Sequence, residues 1–394
     1  MVNIRAILTS FGTMGDVQPL LALAAELKRN GHVPVIALSP NYRERVESMG
    51  LEFASVGPDM TRSHFHDIIT TQTKNTDMAS QVAHYLGITM PMTPQIYREL
   101  RAACAGADIL ISTPHQIAAH MVHEALGIPY VTLHLSHFGL SGSKELRDVS
   151  APIINSYRRD EGLPDLDDPL SADAISSQLA LFAISSAILR KPKSWPAFYQ
   201  VTGYFFLDDE DWTPDEEMLR FLDAGDPPVV VTFSSVVHDD PEHVTSLLLE
   251  TLEKAGQRAI LMRGWSGLGD KKLPSNVHAS GFAPHAWLFA RSSCVVHHGG
   301  AGTTAAALRA GKPTVIIPHT LDQPIWAEYA RALGTTSAVI PFAELTADGL
   351  ARAIKEAVAD PKFQKSADKA AAKIDAERGV QTACRHIEQL LATG

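Results

Sequence analysis

Short apolar runs alternate with amphipathic segments along most of the chain, and this alternation predicts an α/β protein. Residues 4–9 are mostly apolar and are followed by glycines, which is typical of a buried strand and a turn. Residues 17–30 carry leucines at helical spacing and stop before Gly31. A second strand over 33–38 and a second helix over 42–49 follow. This βαβα order is typical of a doubly wound parallel sheet.

The alternation continues through the first half and restarts in the second half. In the first half it predicts further strands over 109–112 and 131–135, with a helix over 117–126. In the second half it predicts strands over 229–233, 259–262, 277–280, 294–297, 314–317 and 337–340. The helices predicted there cover 241–255, 323–333, 348–359, 362–374 and 380–391, with a short helix over 218–224. Residues 58–99 show a looser pattern and predict irregular segments beside a ligand cleft.

The length of the chain indicates two domains. A chain of 394 residues is longer than one hydrophobic core usually supports. A stretch over 195–228 is rich in proline and acidic residues, and the strand–helix alternation restarts directly after it. We therefore expect two α/β halves on either side of a linker.

Composition and charge exclude several classes of protein. The net charge of −10 argues against a nucleic-acid-binding surface. The three cysteines, Cys104, Cys294 and Cys384, have neither metal-site nor disulfide spacing, which suits a reducing compartment. The N-terminus reads as a first strand rather than a signal peptide, and no apolar stretch approaches the ~20 residues that span a bilayer. We expect a cytoplasmic protein.

The segment HHGGAGTTAAALRAG, residues 297–311, joins a predicted strand to an Ala-rich helix. Glycines at such a turn let a ligand approach the backbone closely. The free N–H groups and the positive end of the helix meet at the same place, and this geometry binds phosphate. The residues that it assigns to a phosphate are His298, Gly300, Gly302, Thr303 and Thr304.

Two other interpretations of the glycine turn stay open. The glycines are also suited to shaping a tight turn with no ligand. In addition, the residues from Gly300 to Ala305 fit the G-x-G-x-x-A dinucleotide fingerprint, and Asp322 follows at about the expected ~20-residue spacing. A fingerprint turn usually opens its domain, whereas this turn lies late in the chain.

Four further segments follow predicted strand ends in the second half: FSS at 233–235, RGW at 263–265, GFAPHAWL at 281–288 and DQPIW at 322–326. Together with the glycine turn they resemble the GT-B nucleotide-sugar glycosyltransferases. This family includes UDP-glucuronosyl- and glucosyltransferases and the antibiotic (vancomycin-type) glycosyltransferases. The sequence of these segments looks most similar to the sterol glucosyltransferase branch. The likeness is strong over residues 229–334 and moderate over 4–56.

The resemblance implies a GT-B fold, with two Rossmann-like domains that face each other across a cleft. It assigns acceptor binding to residues 1–207 and nucleotide-sugar binding to residues 229–375. Residues 208–228 would be the linker. Residues 376–394 would form a helix that packs back towards the N-terminal domain.

The resemblance also implies roles at the nucleotide. Phe282 would stack on the base, an interaction worth ~1–3 kcal/mol in other base contacts. The Ala283 backbone would read the base edge, and His285 stands where relatives often have a ribose-binding Gln. Trp265 follows a neighbouring strand end and is assigned to the same nucleotide-sugar site.

The diphosphate and sugar contacts complete the implied donor site. The residues implied to hold the diphosphate are Ser234, His298, Gly300, Gly302 and Thr303. Asp322 and Gln323 would bind sugar hydroxyls, as a carboxylate and an amide can. The alternative for Asp322 is a simple cap of the helix that follows it. Relatives often have Gly at the position of Ser234.

Asp16 is the implied catalytic residue, in the sequence GTMGDV over residues 12–17. Many relatives place His here, and the antibiotic and sterol branches place Asp. The implied role is a general base that takes the proton of the acceptor hydroxyl, typically worth ~10²–10⁴-fold in rate. The alternative is an N-cap aspartate. A helix N-terminus also stabilises the carboxylate and weakens it as a base.

These assignments predict an inverting, metal-independent glycosyltransferase without a cofactor. It would move a hexose from a UDP- or TDP-sugar to a hydroxyl of a lipophilic small molecule, such as a sterol, a polyketide or macrolide, or a flavonoid. Acceptor pickup would involve transient membrane contact. Asp209–Asp211 matches the D-x-D metal motif, but we interpret it as a solvated acidic run in the linker. The alternative functions are a nucleotide-sugar epimerase and a non-catalytic nucleotide-sugar-binding protein.

Overall fold

The chain forms two compact units. The structure is a computed structural model and describes residues 3–60, 78–136, 142–208, 212–234, 236, 238–269, 272–319 and 322–393. The first unit comprises Met1–Leu207 and Glu377–Gly394, and the second comprises Asp208–Ala376. Each unit is built on its own parallel sheet.

The first unit contains a seven-stranded parallel sheet in the order β3-β2-β1-β4-β5-β6-β7. Its strands are β1 (Arg5–Thr9), β2 (Val33–Leu38), β3 (Glu52–Ser55), β4 (Ile109–Ser112), β5 (Tyr130–His134), β6 (Leu179–Phe182) and β7 (Tyr199–Val201). The chain adds strands on one side of β1 and then crosses to β4 on the other side. Ligands of open α/β sheets bind at such a switch point, beyond the carboxyl ends of the two strands.

Helices connect the strands of this first sheet. Among the described residues before 208, these helices are α1 (Met14–Arg29), α2 (Arg43–Ser48), α3 (Met78–Thr89), α4 (Thr93–Ala103), α5 (Ile117–Leu126) and α6 (Lys144–Asp160). In α1, the leucines Leu20, Leu23 and Leu27 recur at helical spacing and are fully buried. Burial of a leucine side chain contributes ~1.5–3 kcal/mol, so this apolar stripe fixes α1 on the sheet.

The second unit contains a six-stranded parallel sheet in the order β10-β9-β8-β11-β12-β13. Its strands are β8 (Val229–Thr232), β9 (Ala259–Met262), β10 (Val277–Ser280), β11 (Cys294–His297), β12 (Thr314–Ile316) and β13 (Thr336–Val339). The switch point of this sheet lies between β8 and β11. The prediction of two doubly wound α/β halves is therefore confirmed.

Seven helices are described in the second unit. They are α7 (Glu216–Asp223), α8 (Pro241–Ala255), α9 (His285–Ala290), α10 (Ala301–Arg309), α11 (Gln323–Ala332), α12 (Ala347–Ala359) and α13 (Pro361–Asp375). The last helix of the chain, α14 (Gly379–Thr393), belongs to the first unit. Its Ala383, Cys384 and Ile387 are buried in the same apolar cluster as the leucines of α1.

Several elements differ from the sequence-based expectations. The stretch predicted to be irregular, residues 58–99, contains α3 and the start of α4, whose Ile96, Tyr97 and Leu100 are buried. The edge strands β3 and β7 and the buried strand β6 were not predicted. Helix α6 was not predicted either. Most of its residues are polar, and the buried residues form only a narrow stripe that includes Ile154. The apolar pattern of this segment is therefore weak.

Among the helices of the described ranges, none has both the length and the apolar character needed to cross a bilayer.

Candidate active site

Asp16 lies at the switch point of the first sheet, in the first turn of α1. It is the third residue inside the helix, and Thr13 is the N-cap, so the expected N-cap position of Asp16 is wrong. The Thr13 N–H donates to Oδ2 of Asp16 at 2.9 Å, which forms a capping box. Gly12 has φ +153°, and a Cβ there would collide with the Asp16 carboxylate. The glycine before the helix therefore makes room for this carboxylate.

His115 lies next to the same carboxylate. Its Nδ1 is 3.5 Å from Oδ1 of Asp16, while the Asp16 side chain is 23% exposed and that of His115 is 62% exposed. His115 follows β4, and Asp16 lies in the helix after β1. The two strand ends are joined by a 2.7 Å hydrogen bond between the hydroxyls of Ser10 and Thr113. The pair is thus fixed by sheet topology and remains open to solvent.

Two tyrosines lie near the Asp16 carboxylate. The Tyr42 hydroxyl donates to the carbonyl of Gly12 at 2.7 Å. Burial, and then the negative charge of Asp16, raise the pKa values of Tyr42 and Tyr85. Both phenols therefore stay neutral at physiological pH. A narrow cleft next to Gly12 is lined in part by Tyr42, Met60 and Ile96.

The glycine turn of the second unit joins β11 to α10, as predicted. Gly299 has φ +88°, and a Cβ there would lie 2.9 Å from Ile316 and 3.0 Å from the Gln323 carbonyl. Gly300 is the N-cap of α10 and has no side chain with which to cap the helix. The first N–H groups of α10 are therefore available for an anion.

His298 lies beneath this helix start and is buried. Burial first, and then the neighbouring His297 and His285, lower the pKa of His298 to about 3. The imidazole is therefore neutral at physiological pH and carries a single N–H. A Cβ on Gly300 would collide with Nε2 of His298, so glycine is required there for the ring to take this position.

Ser234 follows β8, on the other side of the switch point. It is the one described non-glycine residue with a positive φ, at +52°. Its carbonyl accepts a 2.9 Å hydrogen bond from the N–H of Trp265, and a Cβ on Gly264 would lie 2.6 Å from that carbonyl oxygen. Two strand ends are thus held together by a strained backbone, which is typical of functional sites.

Asp322 and Gln323 follow β12 and open α11. Asp322 stands at the N-cap position but makes no side-chain capping hydrogen bond. Its Oδ2 instead accepts from the Trp326 indole N–H at 2.7 Å. The Gln323 side chain is held through Oε1, which accepts from the N–H of His319 at 2.7 Å. Both polar side chains are therefore oriented by neighbouring groups.

The segment after β10 combines one exposed and several packed residues. Phe282 is 71% exposed, which is unusual for a side chain of this size, whereas Ala283 is buried. His285 stacks on Phe289, with 4.6 Å between the ring centroids. Burial lowers the pKa of His285 to about 4. Phe282 therefore offers a flat apolar face to solvent.

The topology argues against one of the open interpretations of the glycine turn, namely the dinucleotide fingerprint. The donor-site residues predicted from sequence follow β8, β9, β11 and β12, which are neighbours in the sheet, or β10 at its edge. The turn itself follows β11, whereas β8 begins the unit. A dinucleotide fingerprint normally occupies the first strand–helix turn of such a unit, so this interpretation is not supported.

Parts of the predicted motifs lie outside the described residues, namely Ser235 and the acidic run over 209–211. In the ranges that are described, no group of three or more His, Cys, Asp or Glu side chains is arranged to hold a metal ion.

Comparison with known proteins agrees with this architecture. Residues 6–138 match the model of the glycosyltransferase family 28 N-terminal domain. Residues 257–390 match that of the erythromycin biosynthesis protein CIII-like C-terminal domain. The chain is 30% identical to O-mycaminosyltylonolide 6-deoxyallosyltransferase from Streptomyces fradiae, over 99% of this chain and 98% of that enzyme.

This chain belongs to the GT-B glycosyltransferase family.

Two further relatives extend the comparison. The glycosyltransferase is 32% identical to a sterol 3-beta-glucosyltransferase from Arabidopsis thaliana, over 87% of this chain and 61% of the plant enzyme. It therefore spans less than two thirds of that relative's length. Among solved structures it is similar to the glycosyltransferase VinC in complex with dTDP, with a TM-score of 0.74 and 21% identity. That alignment covers 99% of this chain and 100% of VinC.

Sequence reasoning gave no role to three residues that contact candidate site residues. His115, His319 and Trp326 contact or orient residues that the sequence did single out. His115 and His319 each lie just beyond a strand end. A search for polar residues after every predicted strand would have found both, whereas Trp326 reads as an ordinary apolar position of a helix.

Proposed function

We propose that this glycosyltransferase moves a hexose from a UDP- or TDP-sugar to a hydroxyl of a lipophilic small molecule, with inversion at the anomeric carbon. The observation that carries the proposal is the Asp16 carboxylate. It is oriented by the Thr13 N–H on one oxygen and faces His115 with the other. A positioned carboxylate at a switch point is suited to general-base chemistry.

In the proposed reaction, Asp16 removes the proton of the acceptor hydroxyl. The resulting oxygen attacks the anomeric carbon of the donor, and the bond from that carbon to the diphosphate oxygen breaks. The electron pair of that bond leaves with the nucleoside diphosphate. The proton would then pass from Asp16 to His115 and from the exposed imidazole to solvent, so that the carboxylate is restored for the next turnover.

The donor would be held by the second unit. The N–H groups at the start of α10 and the neutral His298 would meet the developing charge on the diphosphate, in the manner of an oxyanion hole. Ser234, Gly300, Gly302, Thr303 and Thr304 would line the same diphosphate site. Thr303 and Thr304 are buried, so their contribution would come mainly through the backbone of α10.

The remaining donor contacts would be made at the base and the sugar. Phe282 would stack on the base, and its high exposure supports this role. Ala283, His285 and Trp265 would border the nucleoside. Asp322 and Gln323 would bind sugar hydroxyls, which the fixed orientation of both side chains supports.

We take the proposed acceptor and donor classes from the names of the relatives. One relative is named for sterol glucosylation and another for transfer to O-mycaminosyltylonolide. A sterol or a polyketide-type alcohol is therefore the acceptor class that we propose. VinC was solved with dTDP, which supports TDP-sugars beside UDP-sugars as donors.

The proposal is tested with UDP- and TDP-hexoses against sterol, macrolide and flavonoid acceptors. We expect Asp16→Asn to lower kcat by ~10²–10⁴-fold with little change in affinity for the nucleoside diphosphate. Asp215→Asn is the matched control, because Asp215 caps α7 through a 2.7 Å bond to the Met218 N–H. It should leave turnover unchanged. Equal losses of turnover and nucleotide affinity in Asp16→Asn would contradict the base role.

Three further measurements test this proposal against its alternatives. Release of free sugar product from the nucleotide sugar, without any need for an acceptor, would favour the epimerase. A nucleotide-sugar-binding protein would bind the donor without turnover. Loss of transfer in chelator with recovery in Mn²⁺ would contradict the metal-independent scheme.

A further inference from the structure

We propose that His134 is a specificity-determining residue of the acceptor site, and that its buried imidazole binds a second oxygen of the acceptor besides the hydroxyl that receives the sugar. The inference rests on the proposed function and deepens it, because it favours an oxygen-rich acceptor of the polyketide or flavonoid type over a sterol with a single hydroxyl. His134 is the last residue of β5, which lies next to β4 in the first sheet.

The alternation of side chains along β5 determines the face of the sheet on which His134 lies. Val131 and Leu133 are buried in the same apolar cluster as the leucines of α1, so His134 lies on the opposite face, which carries α5. His115 precedes α5 in the loop after β4. Because β4 and β5 are parallel neighbours, His134 lies at the carboxyl edge at which His115 approaches Asp16.

The imidazole of His134 is packed among aromatic rings. Its side chain is 2% exposed and stacks on Phe182 of β6, with 4.7 Å between the ring centroids. The ring of Phe182 lies 4.7 Å from that of Trp195 in turn. Burial, and then the positive charge of His115, lower the pKa of His134 to about 3. The ring is therefore neutral at physiological pH and offers one N–H donor and one acceptor nitrogen.

The Nε2 atom of His134 is buried and has no hydrogen-bond partner in the part of the chain that the structure describes. Other polar side chains on this face are paired within the protein. The hydroxyls of Ser112 and Tyr130 share a 2.8 Å hydrogen bond, and the Thr132 hydroxyl accepts from the Ser176 N–H at 3.4 Å. An unpaired buried nitrogen costs stability, and a ligand oxygen or an ordered water would offset that cost.

An apolar surface lies beside this edge of the sheet. Its half-buried members come from α3, α6 and the start of α5, and they are Val82, Tyr85, Ile117, Ile153 and Tyr157. The surface reaches the base, because Tyr85 is close enough to Asp16 for the carboxylate charge to act on the phenol. Ligand sites of small molecules are mostly apolar with a few polar groups that fix orientation. His134 supplies such a polar group to an otherwise apolar acceptor site.

The test uses pairs of acceptors that differ by one oxygen. One pair is a 3-hydroxysteroid with and without a ketone on the ring farthest from the hydroxyl, and the other is a flavone with one hydroxyl or with two. Values of kcat/KM are measured on the full chain with UDP-glucose and TDP-glucose. Equilibrium dialysis without a donor gives the Kd of each acceptor, which does not depend on transfer.

Two substitutions keep different features of His134. His134→Phe keeps the stacking on Phe182 and removes both ring nitrogens, whereas His134→Gln keeps a donor and an acceptor. His123→Phe is the matched control, because His123 also stacks on an aromatic ring, that of Tyr130 at 5.1 Å. Its Nδ1 is already paired with the Ile128 carbonyl at 2.6 Å.

We expect the wild-type chain to bind and use the acceptor with the additional oxygen about 5- to 20-fold better in at least one of the two pairs. His134→Phe should abolish this preference by weakening that acceptor alone. His134→Gln should retain part of the preference, and His123→Phe should retain all of it.

Equal losses for both members of each pair in His134→Phe would overturn the inference, because they would indicate a packing role with an ordered water on Nε2. A wild-type chain without a preference in either pair would overturn it as well. If His134→Phe fails to fold, His134→Met fills a similar apolar volume and replaces it in the same comparison. A chain that shows the preference in dialysis but transfers no sugar would reject the proposed function and leave ligand binding by His134 intact.

Discussion

Oδ1 of Asp16 lies 3.5 Å from Nδ1 of His115, and these residues come from opposite sides of the switch point in the first sheet. The other oxygen of Asp16 accepts the N–H of Thr13. A single carboxylate therefore caps the start of α1 with one oxygen and faces the imidazole with the other. This arrangement explains how Asp16 has a capping role and still presents an oxygen to a second group.

The first prediction concerns His115. We expect His115→Ala to lower kcat by roughly 10- to 100-fold, less than the ~10²–10⁴-fold typical of the base itself, because the imidazole assists the carboxylate. If the pair acts as a unit, Asp16→Asn combined with His115→Ala should be no slower than Asp16→Asn alone. Steady-state kinetics on the four proteins of this cycle provide the measurement. Fully additive losses would show that the two residues act independently.

The second prediction concerns the strained backbone at Ser234. A positive φ costs a non-glycine residue about 1 kcal/mol or more, whereas glycine adopts it freely. Ser234→Gly should therefore raise the free energy of unfolding by about 0.5–1 kcal/mol, after the added chain entropy of glycine is subtracted. Ser234→Ala keeps the strain and removes only the hydroxyl.

The two Ser234 variants separate strain from binding. If the hydroxyl binds the diphosphate, both variants should raise the donor KM by a similar factor, while only the glycine variant gains stability in denaturant titrations. A donor KM that rises in one variant alone would show that the loop shape, rather than the hydroxyl, governs donor binding.

The third prediction concerns Phe282. Because its ring is 71% exposed, Phe282→Ala should change the free energy of unfolding by less than about 0.5 kcal/mol. Loss of base stacking should weaken nucleotide binding by ~1–3 kcal/mol. The matched control is Phe289→Ala, since Phe289 is fully buried and its truncation should cost ~3–5 kcal/mol of stability. Calorimetry with UDP and thermal melts measure both quantities, and unchanged UDP affinity in Phe282→Ala would refute the stacking role.

The fourth prediction concerns acid stability of the second unit. Burial lowers the pKa values of His297, His298 and His319 to about 3 and that of His238 to about 4. In the unfolded chain each histidine titrates near 6.5, so the unfolded state binds more protons at acid pH. The stabilising contribution of these buried, neutral histidines is therefore complete above about pH 6.5. It is lost progressively as the pH drops towards 3–4. At pH 5 the loss is about 2 kcal/mol for each such histidine.

An acid titration followed by circular dichroism and tryptophan fluorescence measures this effect. His238→Phe removes one of these titrating groups and keeps an aromatic ring beside Phe342, so it should lower the pH of the unfolding midpoint. His243→Gln, at an exposed position of α8, should leave the midpoint in place. The buried-histidine account would be rejected if both variants shift the midpoint alike.

Much of the fold could be predicted from the pattern of apolar residues. β1, β2 and β11 are central strands, and their continuous apolar runs have few alternative interpretations. The edge strands β3 and β7 carry half-exposed side chains and give little signal, because only one side of each is paired. Whether such an edge segment forms a strand depends on its pairing with a strand that is distant in sequence.

The candidate site was predictable where one contiguous segment supplies the geometry. The glycine turn with His298 is such a segment, because strand, turn and helix follow each other directly. The proximity of His115 to Asp16 depends instead on the order in which strands join the sheet, which local spacing does not encode. The Asp322 carboxylate depends on Trp326, one helical turn later, and the indole N–H could not be recognised from an apolar pattern.

The return of α14 to the first unit affects how this protein can be recombined with its relatives. Val380, Ala383, Cys384 and Ile387 complete the core around α1, so a fragment that stops at residue 207 would leave that core open to water. The second unit is in effect an insertion between two parts of the first. Engineers who wish to exchange the second unit should therefore transplant residues 208–376 as a cassette with two junctions, and leave the last helix with its native partner.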